Sequence, residues 1–115
     1  PARRSTPQTL GDAVTRLEQE LRRDPRQAEG WRLLAEAYKA QGRFADASRA
    51  YARAVEVQPK DPELLAQAAE ARAMAAPERR FDAQAVALLT RALEMDPTHQ
   101  RANWFLGVAQ RQAGR

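Results

Sequence analysis

The sequence predicts an all-α fold, a right-handed α-solenoid of about six antiparallel helices. Three observations predict it. Landmark residues recur at fixed steps: Pro25, Pro59 and Pro97 lie 34 and then 38 residues apart. The same two steps relate Ala13, Ala47 and Ala85, then Leu17, Tyr51 and Leu89, then Leu21, Val55 and Leu93. Self-similarity at this period marks a repeat architecture. Glycine and proline fall between segments whose apolar residues recur at helical spacing. Finally, the chain is 43% hydrophobic, much of it alanine, and only 6% aromatic. That composition suits thin helix pairs, each burying its face on its neighbour.

Residues 31–59 spell one complete repeat. Trp31, Leu34, Ala35, Tyr38, Ala47, Tyr51 and Pro59 fall in the register W-x2-L-G-x2-Y…A-x3-F…P of a tetratricopeptide repeat. Ala35 replaces glycine and Tyr51 replaces phenylalanine. Both keep the size logic, a small residue where helices touch and an aromatic where one fills a hole. Leu34–Ala35 and Gly42–Arg43 recur as Leu106–Gly107 and Gly114–Arg115.

The elements follow in order. Residues 1–8 are polar, contain proline and are expected to be disordered. A half repeat spans 9–25. Its helix at 9–23 carries Leu10, Ala13, Val14, Leu17 and Leu21 as an apolar stripe, with Thr9 and Asp12 as a capping pair. A full repeat spans 28–61, with helices at 27–41 and 44–57 and Gly42 as a left-handed stop. A lengthened repeat spans 62–99, opened by Asp61–Pro62 as N-cap and first-turn proline. Its helices at 62–75 and 81–95 are separated by four extra residues around Ala76–Arg80, where Pro77 cannot continue a helix. The extra residues should lengthen the turn without breaking the stack. A truncated repeat spans 100–115, with a last helix at 99–113. Trp104, Phe105, Leu106 and Val108 leave it an apolar side, expected to be covered by a following helix or a second copy of the chain.

Bulk properties limit the function classes. One domain fits in 115 residues. The net charge is +4 and the pI about 10.3. Arg3–Arg4, Arg22–Arg23–Arg26 and Arg79–Arg80 sit at chain ends and loops with acids interleaved, the pattern of solvated surface, so no nucleic-acid partner is expected. There is no cysteine, hence no disulfide and no thiolate metal site. No apolar run reaches membrane-spanning length. The chain lacks a signal-peptide pattern and reads as a mature or excised piece.

Catalytic chemistry is not legible. His99 is the single histidine, placed beside Asp96–Pro97. One imidazole without a partner is a poor haem or metal ligand, and a helix cap is its plain reading. No phosphate loop and no Ser/His/Asp set is present. An enzyme and a cofactor are therefore not expected. Binding chemistry is available instead. The first helix of each pair should line a groove, which collects Arg32, Leu33, Glu36 and Lys39, then Gln67, Glu70 and Met74, then Arg101, Trp104, Phe105 and Val108. The groove mixes charges of both signs with an apolar end at Met74, Trp104 and Val108, which suits an amphipathic helix. Trp31, Tyr38, Phe44 and Tyr51 read as scaffold. Arg32 and Arg101 occupy two places of the carboxylate clamp used by some repeat proteins, but Glu36 and Phe105 occupy others, so that clamp is not read here.

Leu17-Glu18-Gln19-Glu20-Leu21 followed by Asp24-Pro25 and Ala28-Glu29-Gly30-Trp31, the lengthened stretch from Ala71 to Phe81–Asp82, and Arg91-Ala92-Leu93 followed by Asp96-Pro97 and Ala102-Asn103-Trp104-Phe105-Leu106-Gly107 carry a family resemblance. From about 9 to 113 the chain resembles the periplasmic repeat domain of the bacterial cytochrome c maturation subunit of the CcmI type, with relatives in nitrite reductase maturation. The resemblance implies a chaperone that holds the C-terminal helical segment of an unfolded c-type cytochrome and delivers it to the haem ligation complex. It implies other maturation subunits as partners, a periplasmic address, and a membrane anchor in a part outside this chain. A general protein-interaction scaffold in envelope assembly, secretion or a cytosolic complex is the competing expectation.

Overall fold

A computed structural model describes residues 9–114. The disorder expected of residues 1–8 lies outside the described residues, as does Arg115. All regular elements among the described residues are helical: α1 Leu10–Arg23, α2 Ala28–Ala40, α3 Phe44–Val57, α4 Pro62–Ala75, a 3-10 turn Pro77–Arg79, α5 Ala83–Met95 and α6 Gln100–Ala113. Successive helices pack on one another along the chain, and α4 also packs on α6. The stack measures 59 × 28 × 20 Å. Its radius of gyration of 15.4 Å exceeds the roughly 13 Å of a compact domain this size, as a one-dimensional array requires. We call α2, α4 and α6 the A helices and α1, α3 and α5 the B helices.

Local chemistry sets the helix ends. The Thr9 hydroxyl accepts from the Asp12 N–H, and the Asp61 carboxylate accepts from the Leu64 N–H. These caps satisfy amides that a helix start leaves unpaired. At the end of α2, Gly42 takes φ 76°, in the left-handed region. The Arg43 N–H then reaches the Tyr38 carbonyl at 2.8 Å and closes the turn into α3.

Packing is alanine-driven. Ala35, Ala47, Ala54, Ala69, Ala85 and Ala102 are fully buried, so backbones approach closely where helices meet. Tyr51 and Leu89 fill the holes between pairs at 1% and 0% exposure. Helix α4 is sandwiched by α3, α5 and α6 and buries residues on several sides, including Leu64, Leu65, Ala68 and Ala71. A helix covered by three neighbours buries more than a single apolar stripe, and its charged residues keep to the side left open. The Trp31 indole N–H donates to the Pro25 carbonyl at 2.8 Å, tying the start of α2 to the loop before it.

One boundary differs from the sequence reading by more than a single residue. The helix expected from residue 81 begins at Ala83, because the Asp82 carboxylate takes the N-cap and accepts from the Ala85 N–H at 2.9 Å. Phe81 is freed from the helix. Its ring centroid lies 5.4 Å from that of Phe105 on α6. The lengthened turn folds back onto α6 as a docked loop. The Gln112 side chain accepts from the Phe81 N–H at 2.8 Å and donates to the Arg79 carbonyl at 2.9 Å. That pair of bonds spans a turn in which Glu78 and Arg79 adopt φ 57° and 52°. Two consecutive non-glycine residues with left-handed φ are uncommon and persist only when surrounding contacts hold them.

Candidate protein-binding face

The A helices bring the candidate residues into one polar network. Glu63 and Glu70 are seven positions apart on α4 and so share a face. Arg101 of α6 lies between them, with Nε 3.5 Å from Glu63 and Nη1 3.4 Å from Glu70. Lys39 of α2 reaches Glu70 at 4.0 Å. On the other side His99 Nε2 is 2.8 Å from Glu63. A chain of charge-assisted contacts thus runs His99–Glu63–Arg101–Glu70–Lys39 across three helices. Gln67 donates to Glu63 at 3.2 Å, while its Oε1 is buried without a hydrogen-bond partner.

His99 is the N-cap of α6. Its Nδ1 accepts from the Ala102 N–H at 3.1 Å. With Nδ1 accepting, the ring proton sits on Nε2 and points at Glu63, so one neutral tautomer serves both contacts. The side chain is only 12% exposed. The cap reading stands, and the residue is half-buried between α4 and α6.

Further along α2, Arg32 hydrogen-bonds Glu29 at 3.0 Å and pairs with Glu36 one turn on. The Arg32 bond holds the Glu29 carboxyl below the usual range, and the Glu29 bond raises the Arg32 guanidinium above its own. The cations of this face at Arg32, Lys39 and Arg101 therefore each have a carboxylate already. A peptide carboxylate arriving there would have to displace an internal partner.

The apolar candidates separate. Trp104 is 64% exposed and Leu33 42%, both facing solvent. Arg111 stacks on the Trp104 ring at 5.7 Å. Met74 and Val108 are half-buried. Phe105 is half-buried against the core and Phe81. An open depression of about 600 Å³ lies beside Trp104, with Glu63, His99 and Arg101 on its walls. Sequence reasoning missed Glu63 and His99 as part of this face. The seven-residue spacing of Glu63 and Glu70 was the signal that could have found the first. Among the described residues no group of three His, Cys, Asp or Glu side chains could hold a metal ion. No helix there is long and apolar enough to cross a membrane.

Repeating helix pairs, alanine contacts and a side-chain-rich A-helix face define a tetratricopeptide-repeat protein. A solved structure of the first such domain of Spaghetti (RPAP3) bound to an HSP90 peptide superposes with a TM-score of 0.77 over 92% of this chain and 81% of that one. At 19% identity it shows the fold alone. The family model described as the cytochrome c-type biogenesis protein H TPR domain matches residues 1–115, and the chain belongs to that family. It is 36% identical over 103 residues to cytochrome c-type biogenesis protein CycH of Pseudomonas aeruginosa, covering 90% of this chain and 25% of that protein. It is 35% identical over 107 residues to CycH of Bradyrhizobium diazoefficiens, covering 93% and 29%. The chain thus spans little more than a quarter of the length of these curated relatives.

Proposed function

We propose that this domain acts in c-type cytochrome maturation as a chaperone of the CcmI type, holding the C-terminal helical segment of an unfolded cytochrome on its A-helix face. It presents that segment to the haem ligation complex, beside other maturation subunits. The domain works in the periplasm, and the membrane is reached only through a part outside this chain. Family membership supports the pathway. The single structural observation that carries the mode of binding is Trp104, 64% exposed on an A helix beside an internally neutralised charge network.

The chemistry of that face selects the ligand. Its cations at Arg32, Lys39 and Arg101 are already paired and Arg111 lies over Trp104, so affinity should come mainly from apolar contact rather than from an acidic tail. Covering the exposed part of Trp104 removes on the order of 130 Å² from water, worth about 3 kcal/mol. Ordering a disordered segment into a helix costs about 2–5 kcal/mol or more. Trp104 alone therefore about breaks even, and a helix long enough to reach Leu33 or Met74 is needed for net binding. Moderate affinity with weak salt dependence is the expected result.

A titration of haem-free c-type cytochrome, and of its C-terminal peptide, tests the reading. Trp104→Ala with Met74→Ala should weaken binding tenfold or more while leaving the helical melt in place. If neither ligand binds, even to the longer protein that contains this domain, the maturation reading fails and a general scaffold takes its place.

A further inference from the structure

The B-helix side carries a cavity that the A-helix reading does not use. It encloses about 310 Å³ between α3 and α5, floored by Ala68 of α4. Ala52 and Val55 form one wall, and Ala87 and Leu88 the other. Ser48, Ala52 and Val55 on α3, and Gln84, Leu88 and Arg91 on α5, recur at helical spacing, so each helix turns a continuous strip toward the gap. Ala52 and Ala87 are exposed, so they stand at the mouth, and their methyl groups are too short to close it.

Two arginines border this apolar slot, and they differ. Arg72 is held by Asp82 through a two-pronged contact, with Nε 2.9 Å and 3.0 Å from the two carboxylate oxygens. Arg91 has no carboxylate partner among the described residues. Its one polar contact there is a 3.4 Å bond to the Pro59 carbonyl. On α3, Arg49 and Arg53 pair with Asp46 and Glu56 of their own helix. Arg91 is therefore the cation at this slot still open to an incoming anion.

We propose that this slot is a second docking site, which takes one large apolar side chain from an acidic peptide segment of a partner protein, with a neighbouring carboxylate meeting Arg91. The volume sits at the lower limit of ligand pockets, which suits a side chain and excludes a bulky cofactor. An apolar anchor flanked by a charge pair is a recurring form of peptide recognition. The charge complement specifies an acidic segment. The slot opens on the B-helix side and takes only Ala68 and Arg72 from α4, whereas the A-helix face uses Glu63, Glu70 and Met74 of that helix, so the two occupants meet different residues and do not compete. The domain then becomes an adaptor that holds one protein on each side.

The test uses the isotope-labelled domain and a blocked hexapeptide, Asp-Glu-Leu-Phe-Glu-Asp, followed by amide chemical shifts. Saturable shifts are expected at Ser48, Ala52, Ala68, Ala87 and Arg91, with the amides of Trp104 and Leu33 unmoved. Arg91→Gln should weaken binding about threefold, the scale of an exposed ion pair. Ala52→Leu with Ala87→Leu fills the slot from exposed positions and should abolish saturation. Should that double variant unfold, Arg91→Gln and a Lys-Lys-Leu-Phe-Lys-Lys peptide, expected not to bind, still decide the matter. Absent saturation in the unaltered domain, equal binding of the basic peptide, or binding that persists in a folded filled variant overturns the proposal.

Discussion

Replacing Gln112 with alanine should unlatch the lengthened turn from α6. The side chain makes two hydrogen bonds to that turn's backbone, at 2.8 Å to the Phe81 amide and 2.9 Å to the Arg79 carbonyl. A hydrogen bond contributes a net 0.5–1.5 kcal/mol or so, and water can reach the Arg79 carbonyl once the amide is gone, so about 1–2 kcal/mol is expected for the pair. The loss also releases Glu78 and Arg79 from their left-handed conformations and loosens Phe81 against Phe105. Part of the penalty therefore appears as local opening rather than global unfolding. Hydrogen exchange reads this directly: the Phe81 amide should exchange roughly 5–30 times faster. The melting temperature should fall by about 5–10 °C. Gln112→Glu keeps the acceptor for Phe81 but loses the donor to Arg79, and should lie between the alanine variant and the original. Unchanged protection at Phe81 together with an unchanged melt would show that the loop holds its shape by itself, refuting the latch.

Two further outcomes are expected. Ala47→Leu or Ala54→Leu places a larger side chain at a site of 0% exposure and should cost about 1–3 kcal/mol in denaturant unfolding; a neutral effect would mean the helix pair is looser than its contacts indicate. Burial pushes the Tyr38 and Tyr51 phenols up to about 12, the Tyr38 shift reinforced by the bond its hydroxyl donates to Glu18. The folded chain then keeps protons that the unfolded chain releases near pH 10, so this stability is full below pH 10 or so and is lost as the pH rises toward 12. Ultraviolet titration should show both phenols ionising together with unfolding, and ionisation near pH 10 in the folded domain would refute it.

The helices, their order and their small-residue contacts were determined by the sequence itself. The 34- and 38-residue steps, the capping residues Thr9 and Asp61, and Gly42 act within a turn or two of chain, where helical periodicity and capping chemistry decide the outcome. The buried alanines were readable for the same reason, since a repeat forces equivalent positions into equivalent contacts. What surrounds the A-helix face was decided only by tertiary structure. Glu63 meets His99 across 36 positions and Arg101 across 38, and which cation each carboxylate finds depends on how α4 and α6 cross. The fate of Phe81 turned on a competition between two local signals, a helical pattern from 81 and a better cap at Asp82, which contact with Phe105 and Gln112 resolved. The slot at Arg91 likewise exists only once α3 and α5 stand on either side of α4, because a cavity is a property of the space between helices and no single helix encodes it.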